Sequence, residues 1–182
     1  MPHSLFDWTH LAALAAMLLA AMWQDAALRR IPNTLVIWGS LTALGLSLSP
    51  NGIGLGSAIA GGMVGFFGFW VLYLLRMVGA GDVKLVAATG MFVGHPDMLW
   101  VSVLILFAGG VLSIVWALCT GQLGAVLNNI KTGLLLLWLK RQHGAASSPI
   151  AFPVGRTRMP YAMAIGMGTA MHVANNWPWI AS

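Results

Sequence analysis

The sequence predicts an all-α, polytopic membrane protein: a bundle of six transmembrane helices with both termini outside the cytoplasm. Three observations carry this. Hydrophobic residues make up 59 % of the 182 residues and charged residues only 7 %, whereas a soluble domain carries roughly a quarter charged residues. The few charges fall between long apolar runs instead of alternating with them. The basic residues also distribute so that one side of a membrane can collect all of them, as argued below. A water-soluble globular enzyme is therefore excluded, and so is a disordered chain, which needs low hydrophobicity. The length leaves room for one domain of ordinary size, a single transmembrane unit over residues 1–182.

The first apolar run, 11–22 with Phe6, Trp8 and Trp23 at its flanks, has Asp7 before it and Arg29-Arg30 after it. A signal peptide carries its positive charge in front. The reversed order predicts a retained helix whose N-terminus is outside. Further spans are predicted at 33–49, 53–77, 83–94, 97–120 and 160–180. The fourth is short: its residues cover only about 18 Å of a roughly 30 Å hydrocarbon core. Charge decides that it nevertheless crosses. With six crossings all nine Lys and Arg lie in or beside the inner segments 24–32, 77–83 and 121–159, and Asp7 and Asp97 lie outside. With five, the basic 121–159 segment would lie outside and the positive-inside rule would fail. A short crossing is tolerable when it is packed within the bundle or the bilayer thins.

Aromatic residues agree with these boundaries. Trp8, Trp100, Trp177 and Trp179 fall near the outer one, and Trp23, Trp116 and Trp138 near the inner one, as amphipathic rings prefer. Small residues four apart, Gly61 with Gly65 and Ala162 with Gly166, Ala170 and Ala174, predict close helix approach. Between the last two spans, 122–142 carries an apolar stripe at helical spacing, with Lys131 in its middle. That predicts an interfacial helix, followed by a cytoplasmic loop over 143–153. The pI near 10.2 is assigned to lipid headgroups rather than nucleic acid, because the basic residues sit singly or in pairs beside apolar runs.

With Asp7 and Asp97 in outer loops, two acids remain for chemistry. Asp25 ends the first span and Asp82 stands between the third and fourth, so both lie at the cytoplasmic end of the bundle. Two interface carboxylates paired with nearby Arg or Lys would also explain their position. Gly79 and Gly81 bracket a predicted bend before Asp82, where bare backbone can approach a substrate strand. Two carboxylates sharing a water cannot readily both ionise, so one can act as base while the other protonates a carbonyl oxygen. Such a pair hydrolyses a peptide bond without a metal. The five histidines show no HExxH or other two-histidine spacing on one helix face, and the lone Cys119 cannot build a cysteine cluster, so no metal and no cofactor is expected. No GxSxG surrounds a serine. His95-Pro96-Asp97 reads as an outer turn.

Asp25 followed by Arg30-Ile31-Pro32-Asn33, then Gly79-Ala80-Gly81-Asp82-Val83-Lys84-Leu85, resembles the type IV prepilin peptidases, GxGD aspartic proteases of the bacterial inner membrane. Pro160-Tyr161-Ala162 is similar to the last-helix signature of that family, with Ala162 where Gly is usual. The resemblance implies that Asp25 and Asp82 are the catalytic pair. Gly79, Gly81 and Lys84 would then shape the active site, with Arg30, Pro32, Asn33, Pro160 and Tyr161 on its substrate side or in its packing. It implies prepilin and pseudopilin precursors as partners, cut after a small residue that ends a basic leader. Larger members carry two Cys-x-x-Cys pairs in a cytoplasmic insertion and also methylate the new N-terminus. This chain has neither the cysteines nor the insertion, so it resembles the short Tad/Flp-pilus form, and methylation is not expected. Two readings from other classes compete: a small proton-coupled transporter, whose acids would sit near mid-bilayer, often in two related halves, and a non-catalytic assembly subunit of a secretion system, which would not need both acids.

Overall fold

The computed structural model describes residues 8–50, 52–75, 77–121, 124, 128, 131–133 and 160–176. They form the helices α1 (Trp8–Leu28), α2 (Asn33–Ser47), α3 (Leu55–Leu74), α4 (Ala80–Val93), α5 (Asp97–Cys119) and α6 (Ala162–Asn176). The protein is a helical membrane protein, and α1, α3 and α5 are each long and apolar enough to cross a bilayer. The other three have 15, 14 and 15 residues, about 21–23 Å each at the α-helical rise. Two compact units divide the chain: Met1–Gly109 with Pro160–Ser182, and Gly110–Met159. Most of the predicted interfacial helix 122–142 and all of the predicted loop 143–153 lie outside the described residues. In the second unit Gly124, Asn128 and residues 131–133 are helical, and the Thr132 hydroxyl donates to the Asn128 carbonyl.

Within the first unit, the short helix α4 is the most enclosed element. It packs against α1, α2, α3 and α6, and Val83, Leu85, Val86, Ala88, Thr89, Gly90, Phe92 and Val93 are all buried. A helix apolar on all sides belongs in an interior. Its one buried hydroxyl, on Thr89, donates back to the Leu85 carbonyl and so needs no outside partner. The helix begins three residues earlier than the predicted span, at Ala80, because Gly79 caps it in an extended conformation and Asp82 completes a capping box.

The contact of α4 with α3 is made possible by missing side chains. A Cβ on Gly61 would overlap the Gly90 carbonyl oxygen, and one on Gly90 would overlap that of Gly61. At Gly65 it would lie 2.8 Å from the Val86 carbonyl oxygen. The predicted Gly61/Gly65 approach is thus present, with Gly90 as the unpredicted third member. Beyond α4, Gly94 takes a left-handed φ of 80° and the chain turns at His95-Pro96, as predicted, before α5 starts at Asp97. The His95 N–H donates to the Ser57 carbonyl and the Ser57 hydroxyl donates to the His95 carbonyl, which ties this turn to α3.

The small-residue series on α6 is corrected by the structure. Ala162 and Gly166 are buried, and a Cβ on Gly166 would meet the Met22 sulfur at 2.5 Å. Ala170 and Ala174 are exposed. The approach to α5 uses Gly168 instead, where a Cβ would lie 2.5 Å from the Ile105 nitrogen. The strict four-residue step follows one row of the helix surface, whereas α6 faces both α1 and α5 and needs small residues on two rows. Toward the surface, Trp8, Trp23, Trp38 and Trp100 are exposed. Phe66, Phe67 and Trp70 form an exposed aromatic cluster on α3.

Gly90→Ala should destabilise the protein by about 1–3 kcal/mol, because two backbones would have to separate. Gly45→Ala, where an added Cβ meets nothing within 4 Å, should leave stability unchanged or slightly raised. Thermal unfolding of the two variants in the same detergent checks this.

Candidate active site

Both acids stand where one helix ends and another begins. Asp25 lies in the last turn of α1, which closes when the Arg29 N–H donates to the Asp25 carbonyl at 3.0 Å. Arg29 takes a left-handed φ of 54° there, a conformation unfavourable for a side chain with a Cβ, and the helix stops. The Asp25 side chain is only 8 % exposed. Its Oδ2 accepts the N–H of Ala162, the first residue of α6, at 3.0 Å. The first N–H groups of any helix lack an intrahelical acceptor, so Asp25 caps a helix that begins 137 residues later. Asp25 is thus held by a backbone donor of α6.

Asp82 stands in the first turn of α4 and caps its own helix. The Gly79 N–H donates to its Oδ2 at 2.9 Å. A carboxylate in this position is favoured by the helix dipole as well as by the hydrogen bond. Neither Gly79 nor Gly81 has a left-handed φ; Gly79 precedes α4 and Gly81 lies inside it. Gly79 is constrained by space: a Cβ there would come within 3.1 Å of Asp82 Oδ2. At Gly81 an added Cβ would only touch the side chain of Ile31, at 3.4 Å.

The segment 30–33 lies against the start of α4. Ile31 packs beside Gly81, Pro32 forms the extended cap of α2, and Asn33 opens that helix. The Lys84 ammonium donates to Asn33 Oδ1 at 3.0 Å, bridging α4 to α2. Lys84 and Asn33 are exposed, and so is Arg30.

Residues 160–162 lie against Asp25. Pro160 is buried, and the Tyr161 carbonyl accepts the Ile165 N–H to begin α6. Ala162 binds Asp25, and Ile31, six residues beyond Asp25, packs against Gly81, next to Asp82. The Tyr161 ring meets Phe69 of α3 edge-on, with centroids 6.5 Å apart. Thus Asp25, Gly79, Asp82, Pro160 and Tyr161 gather at one end of the first unit, with Lys84 and Asn33 at its rim. No His, Cys, Asp or Glu cluster able to hold a metal occurs among the described residues. Phe69 and Gly109 were not singled out by sequence. Each sits in an apolar stretch where only a contact distinguishes it from its neighbours.

Residues 12–118 match the type IV leader peptidase family. This is more than half of the chain. The protein belongs to that family. No curated protein and no solved structure matches it. Its general activity is therefore that of a prepilin leader peptidase, a membrane-embedded hydrolase whose partners are prepilins. The matched stretch contains both acids and the segments 30–33 and 79–84, and it ends before Tyr161.

Asp82→Ala should lower stability by about 1 kcal/mol, because it removes the acceptor that caps α4. Asp82→Asn keeps an acceptor oxygen and should lose less. Chemical or thermal unfolding of both variants in detergent, compared with wild type, measures the difference.

Proposed function

We propose that this peptidase is an aspartic endopeptidase in which Asp25 and Asp82 form the catalytic pair. The observation that supports this reading most directly is their convergence. Two acids 57 positions apart in sequence lie at neighbouring helix ends: Asp25 closes α1 and binds Ala162, and Ile31, six residues further on, packs beside Gly81, next to Asp82. A proton-coupled transporter would place its acids along a path through the bilayer, not together at helix ends.

In the reaction, the two carboxyl groups share one proton. The ionised one takes a proton from water as the oxygen attacks the scissile carbonyl carbon, and the other gives its proton to the carbonyl oxygen. The tetrahedral diol then collapses, the C–N bond breaks, and the departing nitrogen is protonated. Anchoring each acid through Oδ2 by a backbone N–H holds the carboxyl planes in place, so little reorganisation is needed as charge shifts.

The substrates are type IV-like prepilins of the Flp/Tad class, cut behind a short basic leader at the cytoplasmic face of the bacterial inner membrane. All six helices of the described residues cross the bilayer, with both chain termini outside. Because α4 begins at the acids and is about 21 Å long, a crossing from the outer boundary stops roughly 9 Å short of the inner one. Water reaches the acids through that recess, and an extended leader segment can enter it.

Co-expression with an Flp-type prepilin tests the assignment. Wild type should shorten the prepilin, whereas Asp25→Ala and Asp82→Ala should each lower cleavage by at least about a thousandfold, the scale of losing a member of a catalytic unit, with protein still in the membrane. Cleavage retained in either variant overturns the catalytic pair.

A further inference from the structure

We infer that Gly109 of α5, together with Phe69 of α3, is a positioning site for the reaction: the two residues hold the Tyr161 ring and thereby set the Ala162 N–H against Asp25. This rests on the reading of Asp25 and Asp82 as the catalytic pair. It assigns a role to a residue that no motif contains.

The geometry is specific to this glycine. A Cβ on Gly109 would lie 2.8 Å from the Tyr161 phenol oxygen, 2.9 Å from Cε2 and 3.0 Å from Cζ. Three atoms along one side of the ring therefore occupy the space of the missing methyl group. Phe69, 1 % exposed, meets the same ring edge-on. The phenol is thus held by α3 and α5. Tyr161 is the residue whose carbonyl begins α6, and the next residue gives Asp25 its hydrogen bond. A ring pushed away from Gly109 carries that donor with it, because one peptide unit separates them. One methyl group on α5 would so disturb Asp25 without touching it.

The test is a kinetic comparison on the full-length protein in detergent with a prepilin substrate. Gly109→Ala should lower kcat about tenfold with KM within about twofold of wild type, as expected when catalytic groups are misplaced by less than an ångström. Gly68→Ala, on α3 beside Phe69, adds a Cβ that meets nothing within 4 Å and should cleave at the wild-type rate. Tyr161→Leu removes the ring and should itself lower kcat. Adding Gly109→Ala to it should then change kcat less than about twofold, since interacting pairs are non-additive. A merely structural role for Gly109 would lower the unfolding temperature in both backgrounds equally and leave kcat per folded molecule unchanged. The inference is overturned if Gly109→Ala cleaves at the wild-type rate, or if it loses the same factor with and without the tyrosine ring. Should Gly109→Ala fail to accumulate, Tyr161→Leu alone decides: undiminished kcat sinks the proposal. Failure of the catalytic pair itself would appear separately, as wild-type cleavage that survives Asp25→Ala.

Discussion

The enclosure of one short helix governs this protein. At 14 residues α4 cannot present a full membrane-length apolar surface to lipid, and it is instead surrounded by α1, α2, α3 and α6. That enclosure is possible because Gly61 and Gly90 let two backbones approach to the distance at which a single methyl group would collide. In a bilayer, association of helices relies on such packing, since lipid tails are as apolar as the helix surfaces. The start of α4 is consequently fixed within the bundle, and with it Asp82.

The same arrangement shows how helix ends become chemical groups. The first N–H groups of a helix have no acceptor within its own ladder. The α4 helix answers with Asp82 on Gly79, and α6 with Asp25 on Ala162. Each hydrogen bond stabilises a helix and also fixes the direction of a carboxyl group. In this protein, folding and the placement of the acids therefore draw on one set of bonds. The reliance on capping also accounts for Gly79, where a side chain would press on the carboxylate oxygen its own N–H binds.

Much of this was legible beforehand. Low charge and long apolar runs indicated membrane helices, and of the motif residues Gly79 binds Asp82 and Ala162 binds Asp25. The Gly61/Gly65 approach followed from small residues on one helix row. Other features escaped sequence reasoning because they depend on what a residue faces. Gly81 was placed at a bend before Asp82 but lies within α4. Ala170 and Ala174 continued the row of Ala162 and Gly166 yet are exposed, because α6 turns a second row, with Gly168, toward α5.

Composition and local pattern by themselves determined the solvent in which this chain folds, the approximate positions of its helices and the few side chains able to carry charge. These are properties of short stretches, set by transfer of apolar groups out of water and by the scarcity of ionisable ones. Which backbone N–H binds Asp25, and which glycine makes room for the tyrosine ring, was decided only by the tertiary structure. Such pairings join residues more than fifty positions apart, and their geometry exists only once the helices have packed.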